Sequence, residues 1–155
     1  MADYYQGKFT PKNPKKYKGK VSNIQYRSGW ELEMMLEFDK NDNILEWNSE
    51  EIVIPYRCPT DKGQHRYFVD FWVKKRTKDG KIEEQIIEIK PLNQVFPPKR
   101  SKNKQRYITE VMTYAKNNAK WKAAREYCKK KNMKFVIISK KNEKFILLTE
   151  KDLNL

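Results

Sequence analysis

Two apolar runs separated by a three-residue turn signal constrain the fold of this chain most strongly. The runs cover residues 67–73 and 86–89, and Lys78-Asp79-Gly80 lies between them. A hairpin loop of this length needs one residue in the left-handed conformation, which glycine adopts without steric cost. The pattern therefore predicts an antiparallel hairpin with strands over His65–Lys75 and Lys81–Lys90.

The register of this hairpin sets two acidic residues opposite each other. Asp70 lies nine residues before Asp79, and Glu88 lies nine residues after it. Opposed residues on neighbouring strands have Cβ atoms roughly 4.5–5.5 Å apart. Strand alternation places six residues on one face and leaves Val69 on the other; the six are Phe68, Asp70, Trp72, Ile86, Glu88 and Lys90. A shift of one residue in the loop would separate the two carboxylates.

The carboxylate pair suggests a metal site, because like charges across a ladder repel and partial burial strengthens the repulsion. A divalent cation bound to both carboxylates removes the conflict. Oxygen ligands favour Mg²⁺, for which Mn²⁺ can substitute. Such an ion can polarise a phosphoryl oxygen and activate water, and Lys90 can stabilise the charge on the phosphate. The alternative is a pair of solvated carboxylates on a half-exposed strand.

A helix before the hairpin supplies a third candidate ligand. Ser28 is a suitable N-cap for a helix over Gly29–Phe38, and Glu31 falls in its first turn, where the helix dipole favours an anion. We expect Glu31 to reach the metal directly or through water. Glu33 and Glu37 lie on the same helix and compete with it for this role.

The remaining pattern predicts an α/β fold in which helices flank a mixed sheet. Helices are expected over Lys102–Asn117 and Lys120–Lys131, and further strands over residues 51–56, 135–138 and 145–148. The element order is then α-β-β-β-α-α-β-β. None of the five glycines forms a phosphate-binding loop, which excludes a P-loop nucleotide hydrolase.

The charge distribution points to a nucleic acid as the partner. The net charge is +14, and residues 99–131 contain 12 Lys or Arg but only 2 acidic residues. Such a field attracts polyanions through phosphate neutralisation. The candidate DNA-binding residues are Lys99, Arg100, Lys102, Lys104 and Arg106. An RNA-binding protein is a weaker alternative, since the aromatic residues are scattered and form no ribonucleoprotein motif.

The sequence predicts an extended basic arm over residues 1–22, followed by one domain over residues 23–155. Residues 8–20 contain six lysines and two prolines, a composition typical of a poorly packed segment. A solvated tail and a segment that docks on DNA or on a protein partner are equally compatible with this composition.

Other cofactors and a membrane are not expected. Cys58 and Cys128 lack CxxC spacing, and the single His65 cannot complete a four-ligand zinc set with them. His65 is a minor candidate for a phosphate contact. No window resembles a signal peptide or a membrane span, and a reducing compartment is expected.

The candidate residues resemble the motif of the PD-(D/E)xK nuclease superfamily. The resemblance rests on Ser28-Gly29-Trp30-Glu31, Asp70 and Glu88-Ile89-Lys90. Val69 stands where the motif has proline. The Ser-x-x-Glu start and the Glu-x-Lys triplet are also similar to those of nucleases that cleave transposon ends.

Longer blocks of the chain resemble the head completion nucleases of T-even-like phages. The blocks are residues 4–8, 11–14, 26–31, 50–56 and 65–70. This resemblance implies a restriction-endonuclease-like fold with Glu31, Asp70 and Glu88 around Mg²⁺ and with Lys90 as the catalytic lysine. It also implies double-stranded DNA as the substrate, with endonuclease and exonuclease action that trims packaged DNA for head–tail joining. Phage head, portal or neck proteins are the implied protein partners. The expected location is the host cytoplasm during assembly, with association to the virion. The alternative is a non-catalytic DNA-binding or structural protein of the head vertex.

Overall fold

The computed structural model describes residues 6–153, which form two α-helices and nine strands. The helices are α1 (Gly29–Lys40) and α2 (Lys104–Lys131). The strands are β1 (Gly7–Lys8), β2 (Gln25–Tyr26), β3 (Ile44–Ser49), β4 (Val53–Arg57), β5 (Gln64–Phe68), β6 (Phe71–Arg76), β7 (Ile82–Ile89), β8 (Lys134–Lys141) and β9 (Lys144–Leu148). Neither helix in residues 6–153 combines the length and the apolar content needed to cross a bilayer.

Five strands form one mixed sheet in the order β3-β6-β7-β8-β9. Only β7 and β8 pair in parallel, and α2 connects them. The strands β1 and β2 form one small antiparallel sheet, and β4 and β5 form another. The predicted fold class, α/β with a mixed sheet flanked by helices, is confirmed.

The two faces of the large sheet bury separate apolar clusters. Phe71 and Ile87 belong to the cluster that contains residues of α1, whereas Trp72 and Ile86 belong to the cluster with residues of α2. The alternation of side chains along β6 and β7 produces this division. The central hairpin is therefore buried on both faces.

The central hairpin has the predicted register. Phe71 pairs with Ile87 and Trp72 pairs with Ile86. The loop closes where the Thr77 N–H donates to the Lys81 carbonyl at 2.8 Å, and Gly80 has a φ of 81°. Continuing this register by one pair sets Asp70 opposite Glu88.

The long strand predicted over residues 65–75 is interrupted, however, at Val69 and Asp70. Strand β5 pairs with β4, so the chain passes from the small sheet to the large one at this point. The Val69 N–H donates to the Ile52 carbonyl at 3.1 Å. Phe68 is exposed and Val69 is buried in the cluster on the α2 side, so the predicted faces of these two residues were wrong.

Two further elements differ from the prediction. The region expected to form two helices is the single helix α2, because Asn117-Asn118 is a weak interruption compared with glycine or proline. Strand β3, which lay outside the predicted strands, adds to the sheet beside β6. From α1 onward, the order is α-β-β-β-β-β-α-β-β.

The described part of the expected arm packs against the rest of the protein. Phe9 and Tyr17 are buried with residues of α1 and the sheet. The backbone N–H groups of Lys12 and Asn13 donate to the Asp39 carboxylate at 2.8 and 3.0 Å. Composition alone did not reveal these contacts, because they depend on an acceptor at the end of α1. Residues 1–5 of the expected arm lie outside the described residues.

Candidate active site

The interruption between β5 and β6 gives Asp70 its position. Asp70 continues the register of β6, but it lies outside the backbone pairing of β6 with β7. Its side-chain carboxylate, instead of its backbone carbonyl, accepts a hydrogen bond from β7. The Ile89 N–H donates to Asp70 Oδ2 at 2.7 Å. Glu50 fixes the main chain from the other side, since its N–H donates to the Asp70 carbonyl at 3.3 Å.

Two neutral donors orient the Glu88 carboxylate near the end of β7. The Tyr67 hydroxyl donates to Glu88 Oε2 at 3.0 Å, and the Trp121 indole N–H donates to the same oxygen at 2.8 Å. Tyr67 comes from β5 and Trp121 from α2. Glu88 is 5% exposed. These donors fix the orientation of the carboxyl group but carry no positive charge.

The carboxyl groups of Asp70 and Glu88 interact directly. Burial, followed by the charge of Glu88 and a hydrogen bond with it, raises the pKa of Asp70 well above its ordinary value. The Ile89 N–H opposes this rise in the pKa. Without a cation, the pair is therefore most stable when it holds a proton. A divalent cation can take the place of that proton, so the donor set fits a hard metal ion.

Glu31 lies in the first turn of α1, as predicted. Its N–H donates to the Ser28 hydroxyl at 3.2 Å, and its own Oε2 accepts from the Arg27 N–H at 2.8 Å. Burial raises the pKa of Glu31, and the charges of Glu50 and Glu88 raise it further. Glu31 is thus within electrostatic range of Glu88.

The two competing glutamates of α1 have other environments. Glu33 forms an ion pair with Lys140 at 2.6 Å, and Glu37 is exposed near the end of the helix. The electrostatic link to Glu88 therefore distinguishes Glu31 from both of them.

Lys90 follows directly after β7 and is half-buried. Its N–H donates to the Ile138 carbonyl at 3.0 Å, which extends the pairing of β7 with β8 beyond the last residue of the strand. This bond fixes the backbone of the Glu88-Ile89-Lys90 triplet next to the sheet.

The five predicted DNA-binding residues are all exposed, on the connection before α2 and in its first turn. Lys99, Arg100 and Arg106 line a groove of about 1170 Å³ between this connection and α2. The groove reaches Asn117, which lies one helical turn before Trp121. Lys102 and Lys104 lie beside it. The basic groove thus ends one helical turn from a residue that binds Glu88.

The contacts of His65 are with residues other than the carboxylate pair. Its ring accepts or donates a bond with Asp61 at 2.7 Å and lies 5.8 Å from the ring of Tyr56. Donor atoms of Cys58, Asp61 and His65 come within 4.8 Å of one another. Within residues 6–153, His65 forms no ion pair with Asp70 or Glu88.

Sequence reasoning missed Tyr67 and Trp121, although one signal for them exists. A buried tyrosine or tryptophan needs a hydrogen-bond partner for its polar atom. Both residues lie in apolar patterns that predict burial. The partner is distant along the chain, so the sequence does not identify it.

Comparison with known proteins identifies related nucleases. Residues 41–140 match the family described as TnsA-like endonuclease N terminal, a range that includes Asp70, Glu88 and Lys90. The chain is 40% identical over 140 residues to the head completion nuclease of Enterobacteria phage T4, which corresponds to 87% of this chain and 91% of that protein. No solved structure matches the chain.

Proposed function

The chain belongs to the TnsA-like endonucleases, and on that premise we propose that it is a Mg²⁺-dependent deoxyribonuclease whose centre is the Asp70–Glu88 pair. As a member of this family it hydrolyses DNA. The metal, the residues that bind it and the biological role are the proposed elements.

The observation that carries the proposal is a buried pair of interacting carboxyls with neutral donors around it. Buried acids are usually balanced by a basic partner. Here Tyr67, Trp121 and the Ile89 N–H supply hydrogen bonds but no positive charge. Such an arrangement is costly for a protein selected only for stability, and it suits a site that receives a cation.

Asp70 and Glu88 would hold the Mg²⁺, and Glu31 would bind it directly or through water. When bound, the ion would polarise a phosphoryl oxygen and lower the pKa of a water molecule. The hydrogen bonds from Tyr67 and Trp121 would keep Glu88 in one orientation as DNA enters.

Lys90 would stabilise the negative charge that develops on the phosphate during hydrolysis. The basic groove would position the duplex through its phosphates and would carry no sequence information directly. The groove residues proposed for this role are Lys99, Arg100 and Arg106, with Lys102 and Lys104 beside it.

The biological proposal comes from the relative named as a head completion nuclease. We propose that this chain also acts in phage head completion and trims or cuts packaged DNA so that filled heads can join tails. Exonuclease action beside endonuclease action is part of this proposal, as are contacts with head, portal or neck proteins. The place of action would be the host cytoplasm during assembly, with association to the virion.

A supercoiled plasmid assay tests the catalytic proposal. We expect nicked and linear products with Mg²⁺ and none with EDTA. Glu88→Gln should reduce cleavage at least about 100-fold, because one metal ligand is lost while the side-chain volume is kept. Glu84→Gln is the matched control: Glu84 lies on the same strand, and its bond from the Trp72 indole at 3.0 Å can be accepted by an amide oxygen.

Two outcomes would contradict the proposal. Equal cleavage by Glu88→Gln and wild type would refute the site. Salt-sensitive DNA binding by the wild type without any product in Mg²⁺ or Mn²⁺ would instead favour a non-catalytic structural protein of the head vertex.

A further inference from the structure

A second lysine lies beside the carboxylate pair and comes from α2. Lys120 precedes Trp121, whose indole binds Glu88. The Lys120 ammonium lies 5.7 Å from the ring centre of Tyr67 and 6.0 Å from that of Tyr56. Tyr67 is the other donor to Glu88. Lys120 is therefore linked to Glu88 through both of the residues that orient this carboxylate.

Lys120 has no ion-pair partner in residues 6–153. Its ammonium rests on aromatic rings, which attract a cation but do not cancel its charge. The side chain is half-buried, and burial lowers its pKa. Glu88 and Asp70 attract this charge from a distance, whereas Lys90 and Lys116 repel it. A lysine needed only for solubility would extend into water.

We propose that Lys120 binds a non-bridging oxygen of the phosphodiester that is cleaved, as a second cationic side chain in addition to Lys90. The inference rests on the proposed nuclease function. Charge balance supports it: one divalent ion and Lys90 would balance the carboxylates of Glu31, Asp70 and Glu88. Lys120 then provides the positive charge that matches the single negative charge of a DNA phosphodiester.

A purely structural role for Lys120 makes a different prediction. In that case the two cation–π contacts of Lys120 would only stabilise the fold. Their loss would lower the melting temperature and would leave the cleavage rate of the folded enzyme unchanged. A contact with the phosphate predicts instead that the cleavage rate of the folded enzyme falls.

The experiment compares Lys120→Gln, Lys120→Arg and the control Lys122→Gln, which changes an exposed lysine of the same helix. Single-turnover cleavage of a DNA duplex is measured with enzyme in excess and Mg²⁺ saturating. Lys120→Gln should lower the rate at least about 10-fold, since one charged donor to the reacting phosphate is lost. Lys120→Arg keeps the charge and should recover part of the rate, and Lys122→Gln should stay within about twofold of wild type.

A second measurement separates a phosphate contact at the reaction centre from general attraction to DNA. In the Glu88→Gln background, Lys120→Gln should change the DNA dissociation constant by less than about threefold, because the groove lysines and arginines supply most of the binding. A rate loss with nearly unchanged binding supports the proposal.

Three results would overturn the inference. The first is a rate for Lys120→Gln equal to that of Lys122→Gln. The second is a rate loss that disappears when the melting temperature is restored by stabilising conditions. The third is equal loss in Lys120→Gln and Lys120→Arg. Absence of cleavage by the wild type would refute the proposed function instead, so the two failures are distinguishable.

Discussion

The hydroxyl of Tyr67 offers the most direct test of how the protein prepares Glu88 for a metal ion. Tyr67→Phe removes one atom from a ring that is 3% exposed and leaves the ring in place. Of the two neutral donors to Glu88 Oε2, only the Trp121 indole N–H at 2.8 Å then remains. We expect the carboxylate to lose part of its fixed orientation and the requirement for Mg²⁺ to increase.

The magnitude follows from the type of bond. A hydrogen bond to a charged group contributes about 1.5–3 kcal/mol, which corresponds to roughly 10- to 150-fold in an equilibrium constant. Loss of a residue that orients a metal ligand typically reduces metal affinity about 10- to 100-fold. The two ranges agree. We therefore predict that the Mg²⁺ concentration for half-maximal cleavage rises about 10- to 100-fold.

The assay is cleavage of supercoiled plasmid over a Mg²⁺ titration, with Tyr17→Phe as the matched control. Tyr17 is also a buried tyrosine, and its hydroxyl donates to the Ser49 carbonyl at 3.2 Å. Its loss should lower the melting temperature but leave the Mg²⁺ requirement unchanged. A shift smaller than about threefold for Tyr67→Phe, with a fold as stable as that of Tyr17→Phe, would refute the orienting role of Tyr67.

Two further predictions concern the site and its helix. Asp70 has a raised pKa in the folded protein. Without metal, the folded state therefore keeps a proton that the unfolded chain loses above its ordinary pKa of 3.8. The stability of the metal-free protein should fall as the pH rises from 3.8 towards the pKa of the folded state. Asp70→Asn should remove this fall, raise the melting temperature in EDTA at neutral pH and abolish cleavage, whereas a lower melting temperature than wild type would contradict the argument. Ser28→Ala removes the N-cap of α1 and should cost about 1 kcal/mol, or roughly 2–4 °C, in thermal denaturation; the cap argument fails if the melting temperature does not change.

The hairpin shows what local sequence can determine. A three-residue loop with glycine in its third position fixes the register, and the register brings Asp70 to Glu88. These constraints act over about twenty residues and depend on backbone geometry that glycine alone adopts easily. The N-cap of α1, with Ser28 before Glu31, was predictable for the same reason.

The interruption at Val69 and Asp70 could not be predicted from the neighbouring sequence. The sequence from Tyr67 to Val73 is continuously apolar apart from Asp70, and nothing local separates one strand from two. The Ile52 carbonyl and the pairing of β4 with β5 cause the interruption, and both are long-range contacts. The donors from Tyr67 and Trp121 to Glu88 were hidden for the same reason, since Trp121 is 33 residues away from Glu88.

The docked N-terminal segment has a consequence for the solution behaviour of the protein. Strand β3 is one of the two edge strands of the large sheet, and its outer side would expose backbone N–H and C=O groups that can pair with another molecule. Tyr17 forms a parallel bridge with Trp47, and the Lys18 N–H donates to the Trp47 carbonyl at 2.8 Å. The segment thereby covers part of the edge of the sheet, and its lysines place positive charge beside that edge. We expect removal of the residues up to Lys18 to expose this strand edge and to promote aggregation.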